Sequence, residues 1–91
     1  MAKWLQSGMR RDLCVILAGA GELQAQALKT RLSEHYDERI DPQSYYAALD
    51  ALADGGHVEA STDGIHDVYG LSAAGERLLR DHYAWVDDHL D

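Results

Sequence analysis

The sequence predicts a mainly α fold with one small β-hairpin, and three observations predict it. Apolar residues recur at helical spacing in four segments. Asp41-Pro42 and Gly55-Gly56 bracket the third of these segments as a start and a stop signal. Thr62-Asp63-Gly64 then separates two β-prone runs, the mark of a tight hairpin. The 91 residues suffice for a single domain with a small core, since a chain of this size buries about 60–68% of its unfolded surface.

The elements follow in order. A first helix is expected from about Gly8 to Gly19, with Met9, Leu13, Ile16, Leu17 and Ala20 as one apolar stripe; Gly19 and Gly21 break it. The one cysteine, Cys14, lies in the apolar run LCVILA, where a buried inert thiol is expected. A second helix is expected from about Leu23 to Tyr36, with Leu28, Leu32 and Tyr36 inward, followed by the acidic turn DERI. In the third helix Asp41 is a good N-cap, and Pro42 suits the first turn because its missing N–H needs no partner there. Tyr45, Leu49 and Leu52 form its buried stripe, and Gly55 and Gly56 can supply the left-handed residue that ends it. The opposite face carries Gln43, Ala47, Asp50 and Asp54. Tyr45 and Tyr46 are neighbours on one helix, so one belongs to the core and the other is partly exposed.

Val58 to Ser61 and Ile65 to Leu71 read as the two strands of the hairpin. Ser72 can cap a last helix running to about Leu90, whose stripe of Leu79, Tyr83, Val86 and Leu90 has heptad-like spacing. Leu78 and Trp85 add a second apolar edge. A helix apolar on both edges has more surface than a small domain can cover, and a partner subunit is the simplest cover; the alternative is packing on its own first helix alone. A short helix, a hairpin and a packing helix in this order are the plan of a winged helix-turn-helix with a C-terminal dimerisation helix. Residues 8–71 would form the helix-turn-helix core and wing, and 72–90 the packing or dimerisation helix.

Apolar residues at 46% and charged ones at 26% describe an ordinary globule. No apolar run approaches the roughly 18 residues of a membrane span, and the start MAKWLQSGMRR has no apolar h-region. A cytoplasmic location without membrane contact is the expectation. The net charge is −8, and the 16 acidic residues are spread along the whole chain against only 8 lysines and arginines. That bias is the composition of proteins from a salt-rich cytoplasm. At about 1 M salt the Debye length falls to about 3 Å, so the acid excess no longer forbids contact with a polyanion. The alternative is an acidic protein that binds a basic partner.

The segment DPQSYYAALDALADGGHVEA followed by VYGLSAAGERLL resembles the PadR-like transcriptional regulators. More narrowly, RRDLCVILAGAGELQAQALKTRLSEHYDERI with a terminal WVDDHL looks like the short PadR-like proteins of halophilic archaea. The specific pieces are Tyr46-x-x-Leu49-x-x-Leu52, Gly56 before the wing, and Tyr69-x-Leu71-Ser72-x-x-Gly75 after it. The resemblance implies a winged-helix homodimer that regulates transcription by binding double-stranded DNA, its third helix in the groove and its dimer contacts on terminal helices. Carried over, groove contacts fall on Gln43, Ser44 and Tyr46, and supporting phosphate contacts on Gln24 and the wing tip, where His66 lies. Relatives commonly place an arginine or lysine in this helix and several in the wing. Here the helix has neither, and STDGIHD offers His66 and two aspartates.

Phosphate contact otherwise falls to the arginines. Arg10 and Arg11 start the first helix and Arg39 precedes the third, which makes these three the candidates for flanking phosphates. Gln43 can bond adenine in bidentate fashion, and Ser44 can bond a base or a phosphate. Tyr46 can reach a phosphate through its hydroxyl or serve in packing. The dimer interface is expected at Leu79, Tyr83, Val86, Leu90 and Trp85, joined by Trp4 from the other end of the chain.

No metal or cofactor is expected. His82 and His89 share a face of the last helix, but two turns separate them by about 10 Å, too far for one ion. His57 and His66 flank the wing and could meet across the hairpin. No nucleophile motif, Gly-rich phosphate loop or HExxH occurs, so an enzyme is not expected. The function expected is a DNA-binding transcriptional regulator working as a winged-helix dimer. The runner-up is an acidic winged-helix module that has lost DNA binding and engages a protein partner.

Overall fold

The computed structural model describes residues 8–90. These form, in order, α1 (Gly8–Ala20), β1 (Glu22–Gln24), α2 (Ala25–Tyr36), α3 (Pro42–Asp54), β2 (Val58–Asp63), β3 (His66–Leu71) and α4 (Ala73–Leu90). The strands make one antiparallel sheet in the order β1-β3-β2. Leu13, Cys14 and Leu17 of α1, Leu28 and Leu32 of α2, and Tyr45, Leu49 and Leu52 of α3 meet in one core, capped by Val58 and Tyr69 from the sheet.

The sequence pattern places two strands, and the fold has three. The second helix begins at Ala25 rather than about Leu23, because Glu22–Gln24 pair with β3 instead. Gly21 makes this possible. Its φ of 86° turns the chain out of α1 while its N–H bonds the Leu17 carbonyl at 2.8 Å. Leu23, paired with Tyr69, is half-buried between exposed Glu22 and Gln24.

Asp41 caps α3 as expected, its Oδ2 accepting the Ser44 N–H at 2.9 Å. Of the two glycines that end the helix, Gly56 takes the left-handed conformation (φ 77°), whereas Gly55 stays right-handed. The hairpin is longer and tighter than its sequence suggests. β2 runs through Asp63, which pairs with His66, and only Gly64 and Ile65 form the loop. Gly64 has φ 66°, and Ile65, at the tip, is 93% exposed. A left-handed glycine at the first of two loop positions is the pattern of a type II′ turn, whose twist matches the flanking strands.

Residues around Ser72 fasten α4 to the end of α3. The Ser72 hydroxyl donates to the Gly56 carbonyl at 2.6 Å and accepts the Gly75 N–H at 3.0 Å. The Ser72 N–H donates to the His57 carbonyl at 3.1 Å. Leu78 and Leu79 pack against the core, and beyond them α4 leaves it: Tyr83 is 71% exposed and Leu90 80%. His57 therefore lies at the base of the hairpin and His66 beside its tip, so the two do not meet across it. No helix among the described residues is long and apolar enough to cross a membrane.

Candidate nucleic-acid interface

The third helix presents Gln43, Ser44, Ala47, Asp50 and Asp54 to solvent, and Tyr46 stays 43% exposed. Tyr45 sets the orientation of this face. Its ring is fully buried, and its hydroxyl donates to the Ala25 carbonyl at 2.6 Å, at the first turn of α2. Burial pushes that hydroxyl's pKa far above its ordinary value of 10. Tyr46 lies edge-on to Tyr45, ring centroids 5.0 Å apart. The pair thus divides as the sequence implies, Tyr45 to the core and Tyr46 to the surface.

Ser44 is less free than its position suggests. Its hydroxyl donates to Asp41 Oδ2 at 3.0 Å, so its proton is engaged and its oxygen is left to act as an acceptor. The Ser44 N–H and O–H together hold the Asp41 carboxyl below its ordinary range, with smaller help from Lys29 and Arg39. The first turn of α3 therefore carries a carboxylate where a phosphate would otherwise dock.

Gln24 lies next to the point where α2 meets the buried side of α3. It is the exposed residue just before α2, one position from the carbonyl that Tyr45 holds, and its side chain makes no capping bond. Burial raises the pKa of the Tyr69 hydroxyl on β3 above its ordinary value of 10, and the charges of Asp67 and Asp50 raise it further. His66 is exposed beside the wing tip, and Arg39 is exposed just ahead of α3. Neither α3 nor the wing carries a lysine or arginine.

The two candidate arginines of α1, Arg10 and Arg11, are both half-buried. Arg11 bonds Asp12 at 3.3 Å and lines a groove of about 720 Å³ between α1 and α4, among residues of α4 rather than α3. Asp12 also accepts the Tyr36 hydroxyl at 2.5 Å, which with burial pushes the Tyr36 pKa up to about 12. The groove's other walls include Val15, Leu79, His82, Tyr83 and Val86. Trp85, 48% exposed, lies between the rings of His82 and His89, at 5.9 and 4.5 Å. Trp4 lies outside the described residues. No group of three or more possible metal ligands occurs among the described residues.

No family model and no curated protein matches the chain. Solved structures do. RosR of H. salinarum shares 27% identity with a TM-score of 0.81, over 88% of this chain and 73% of that one. A homodimeric winged helix-turn-helix DNA-binding domain from Mycobacterium bovis, described as a possible ArsR-family transcriptional regulator, shares 29% identity with a TM-score of 0.80; the match covers 98% of this chain and 77% of that one. The fold is a winged helix. F93 from STIV, a winged-helix DNA-binding protein, is similar in fold alone, at 15% identity and a TM-score of 0.71 over 94% of this chain and 91% of that one. In the winged-helix frame α3 holds the place of the recognition helix, β2 and β3 that of the wing, and β1 is the strand paired with the wing. Sequence reasoning missed β1, for which the Leu23 position between two polar residues was the only signal.

Proposed function

We propose that this protein is a DNA-binding transcriptional regulator that acts as a homodimer in a salt-rich cytoplasm, of the PadR-like kind. One observation carries the reading: an exposed helix face, backed by buried Tyr45 and followed directly by the hairpin, on a winged-helix scaffold. Gln43 and Tyr46 lie on that face, and Ser44 offers acceptor lone pairs beside them. Arg39 is the nearest cation in sequence and supplies phosphate contact at the start of α3. Arg10 and His66 are flanking contacts, and Arg11 serves the α1–α4 groove instead.

Charge decides the conditions. The net charge of −8 repels a duplex at low salt, where the Debye length is about 10 Å at 0.1 M. At molar salt only contacts at hydrogen-bond range count, and these are the ones α3 offers. Partnering of two chains through α4 covers Tyr83, Val86, Trp85 and Leu90 and closes the groove against α1. A mobility-shift assay against genomic fragments in molar KCl tests the reading. A retarded species at micromolar protein is expected, and its absence overturns it.

The acidic surface favours one other reading. Asp50, Asp54, Asp63 and Asp67 on α3 and the wing suit a basic protein partner. Partners retained in a pull-down after nuclease treatment support that module, whereas partners lost with the DNA support the regulator.

A further inference from the structure

Asp50 lies on the exposed face of α3, in line with Gln43 and Ala47. Its carboxylate has no hydrogen-bond or ion-pair partner among the described residues, and its charge acts on the Tyr69 hydroxyl at the base of the wing. An unpaired carboxylate in that place is a poor neighbour for a phosphate. Against the edges of bases it is selective. The major groove offers acceptors at guanine O6 and N7 and at thymine O4, all of which repel a carboxylate. Cytosine offers its N4 amino group as a donor. Adenine offers an N6 donor too, but with the N7 acceptor beside it, so a two-oxygen acceptor gains at one atom and loses at the other.

We propose that Asp50 is a specificity-determining residue that reads cytosine through its N4 amino group. The inference rests on the groove-binding reading and deepens it. Gln43 and Asp50 are two helical turns apart, about 10.5 Å along the axis. Base pairs rise by about 3.4 Å along the duplex axis, and a helix in the groove is inclined to that axis, so the cytosine falls within about three base pairs of the adenine that Gln43 suits. Ala47 lies between them, its methyl group suited to a thymine methyl. The acid on the recognition helix then carries sequence information, and the helix is not simply a damaged form of a basic one.

Enrichment of bound duplexes from a random DNA pool in molar KCl, followed by sequencing, tests this. Three proteins are compared: wild type, Asp50→Ala and Asp50→Asn. Asp50 is exposed, and circular dichroism checks that both variants fold. Wild type is expected to enrich a site with a fixed cytosine, and to lose about 5–150-fold in affinity when that cytosine becomes thymine. Asp50→Ala is expected to keep the rest of the site and lose preference at that position. Asp50→Asn, with an amide that pairs both N6 and N7, is expected to move the preference to adenine. If wild type enriches a site and both variants keep the same base at every position, the role of Asp50 is refuted while groove binding stands. If wild type enriches nothing, the groove-binding reading itself falls.

Discussion

Gly75→Ala tests how α4 is attached to the recognition helix. A Cβ built at Gly75 would lie 2.0 Å from the His57 carbonyl oxygen and 2.9 Å from its carbon. Contacts under 3.0 Å essentially never occur at a Cβ, so α4 and the α3–β2 turn must part by at least about 1 Å. That same carbonyl accepts the Ser72 N–H, and the Ser72 hydroxyl holds Gly56. Overpacking costs about 1–3 kcal/mol. Loosening the two hydrogen bonds adds about 1 kcal/mol each, and the better helix propensity of alanine returns about 1 kcal/mol. The net loss is about 2–4 kcal/mol. For a domain of this size that lowers Tm by at least about 8 °C. Gly19→Ala is the control. It is exposed near the end of α1 with nothing within 4 Å of its Cβ, so it should gain about 0.5–1 kcal/mol. Urea titration followed by circular dichroism measures both. A Gly75→Ala variant within about 0.5 kcal/mol of wild type would refute the argument that this contact is tight and fixed.

Four other outcomes are expected. Tyr45→Phe removes the bond to the Ala25 carbonyl and should cost about 1 kcal/mol of stability in the same titration; an unchanged midpoint would show that the hydroxyl does not position α3. Gln43→Ala should weaken binding to the selected DNA site by about 1–3 kcal/mol with stability unchanged, read by mobility shift; an unaltered isotherm removes Gln43 from the interface. Burial holds the His57 pKa below its ordinary value of 6.5. The neutral ring is thus favoured on folding, its contribution is full above pH 6.5, and it is lost as pH falls below that value toward the folded-state pKa. His57→Gln should accordingly flatten the fall in urea midpoint between pH 7.5 and 5, and an equally steep fall in the variant would count against it. Finally, Tyr83→Glu with Leu90→Glu changes two exposed residues of α4, and sedimentation should show a folded monomer in place of a dimer; an unchanged mass would place the dimer contact elsewhere.

What the sequence made legible was what local chemistry decides. Asp41, Pro42 and Gly56 fix both ends of α3 through bonds and backbone angles within a few residues, so the start of the helix and the glycine pair that stops it were readable. The exposed and buried faces of α3 followed from its period. The strand β1 did not follow, because three residues carry too little alternation and their partner is a distant segment. The wing turn was displaced for the same kind of reason. Its glycine was visible, but the pairing of Thr62 with Asp67 and of Asp63 with His66, which narrows the loop to Gly64-Ile65, belongs to the sheet. Arg11 was grouped with Arg10 by adjacency. Neighbours on a helix point about 100° apart, and the packing of α1 on α4 decides that Arg11 faces the groove.

The bonds around Ser72 connect the two surfaces that a dimeric regulator needs. The first turn of α4 is held to the α3–β2 turn by the backbone carbonyls of Gly56 and His57, with Gly75 pressed against the latter. No flexible linker separates them. On the proposed reading, a partner seated on the outer half of α4 would be held at a set displacement from α3, and a two-fold axis through that contact would fix the distance between the two copies of α3. Such helices enter successive major grooves on one side of a duplex when they lie about 34–36 Å apart. Half-site spacing would then be written into the α3–α4 junction, and base preference into the face of α3. Substitutions at the junction should alter which spacings are bound while leaving the preferred bases alone, and substitutions on the face should do the reverse.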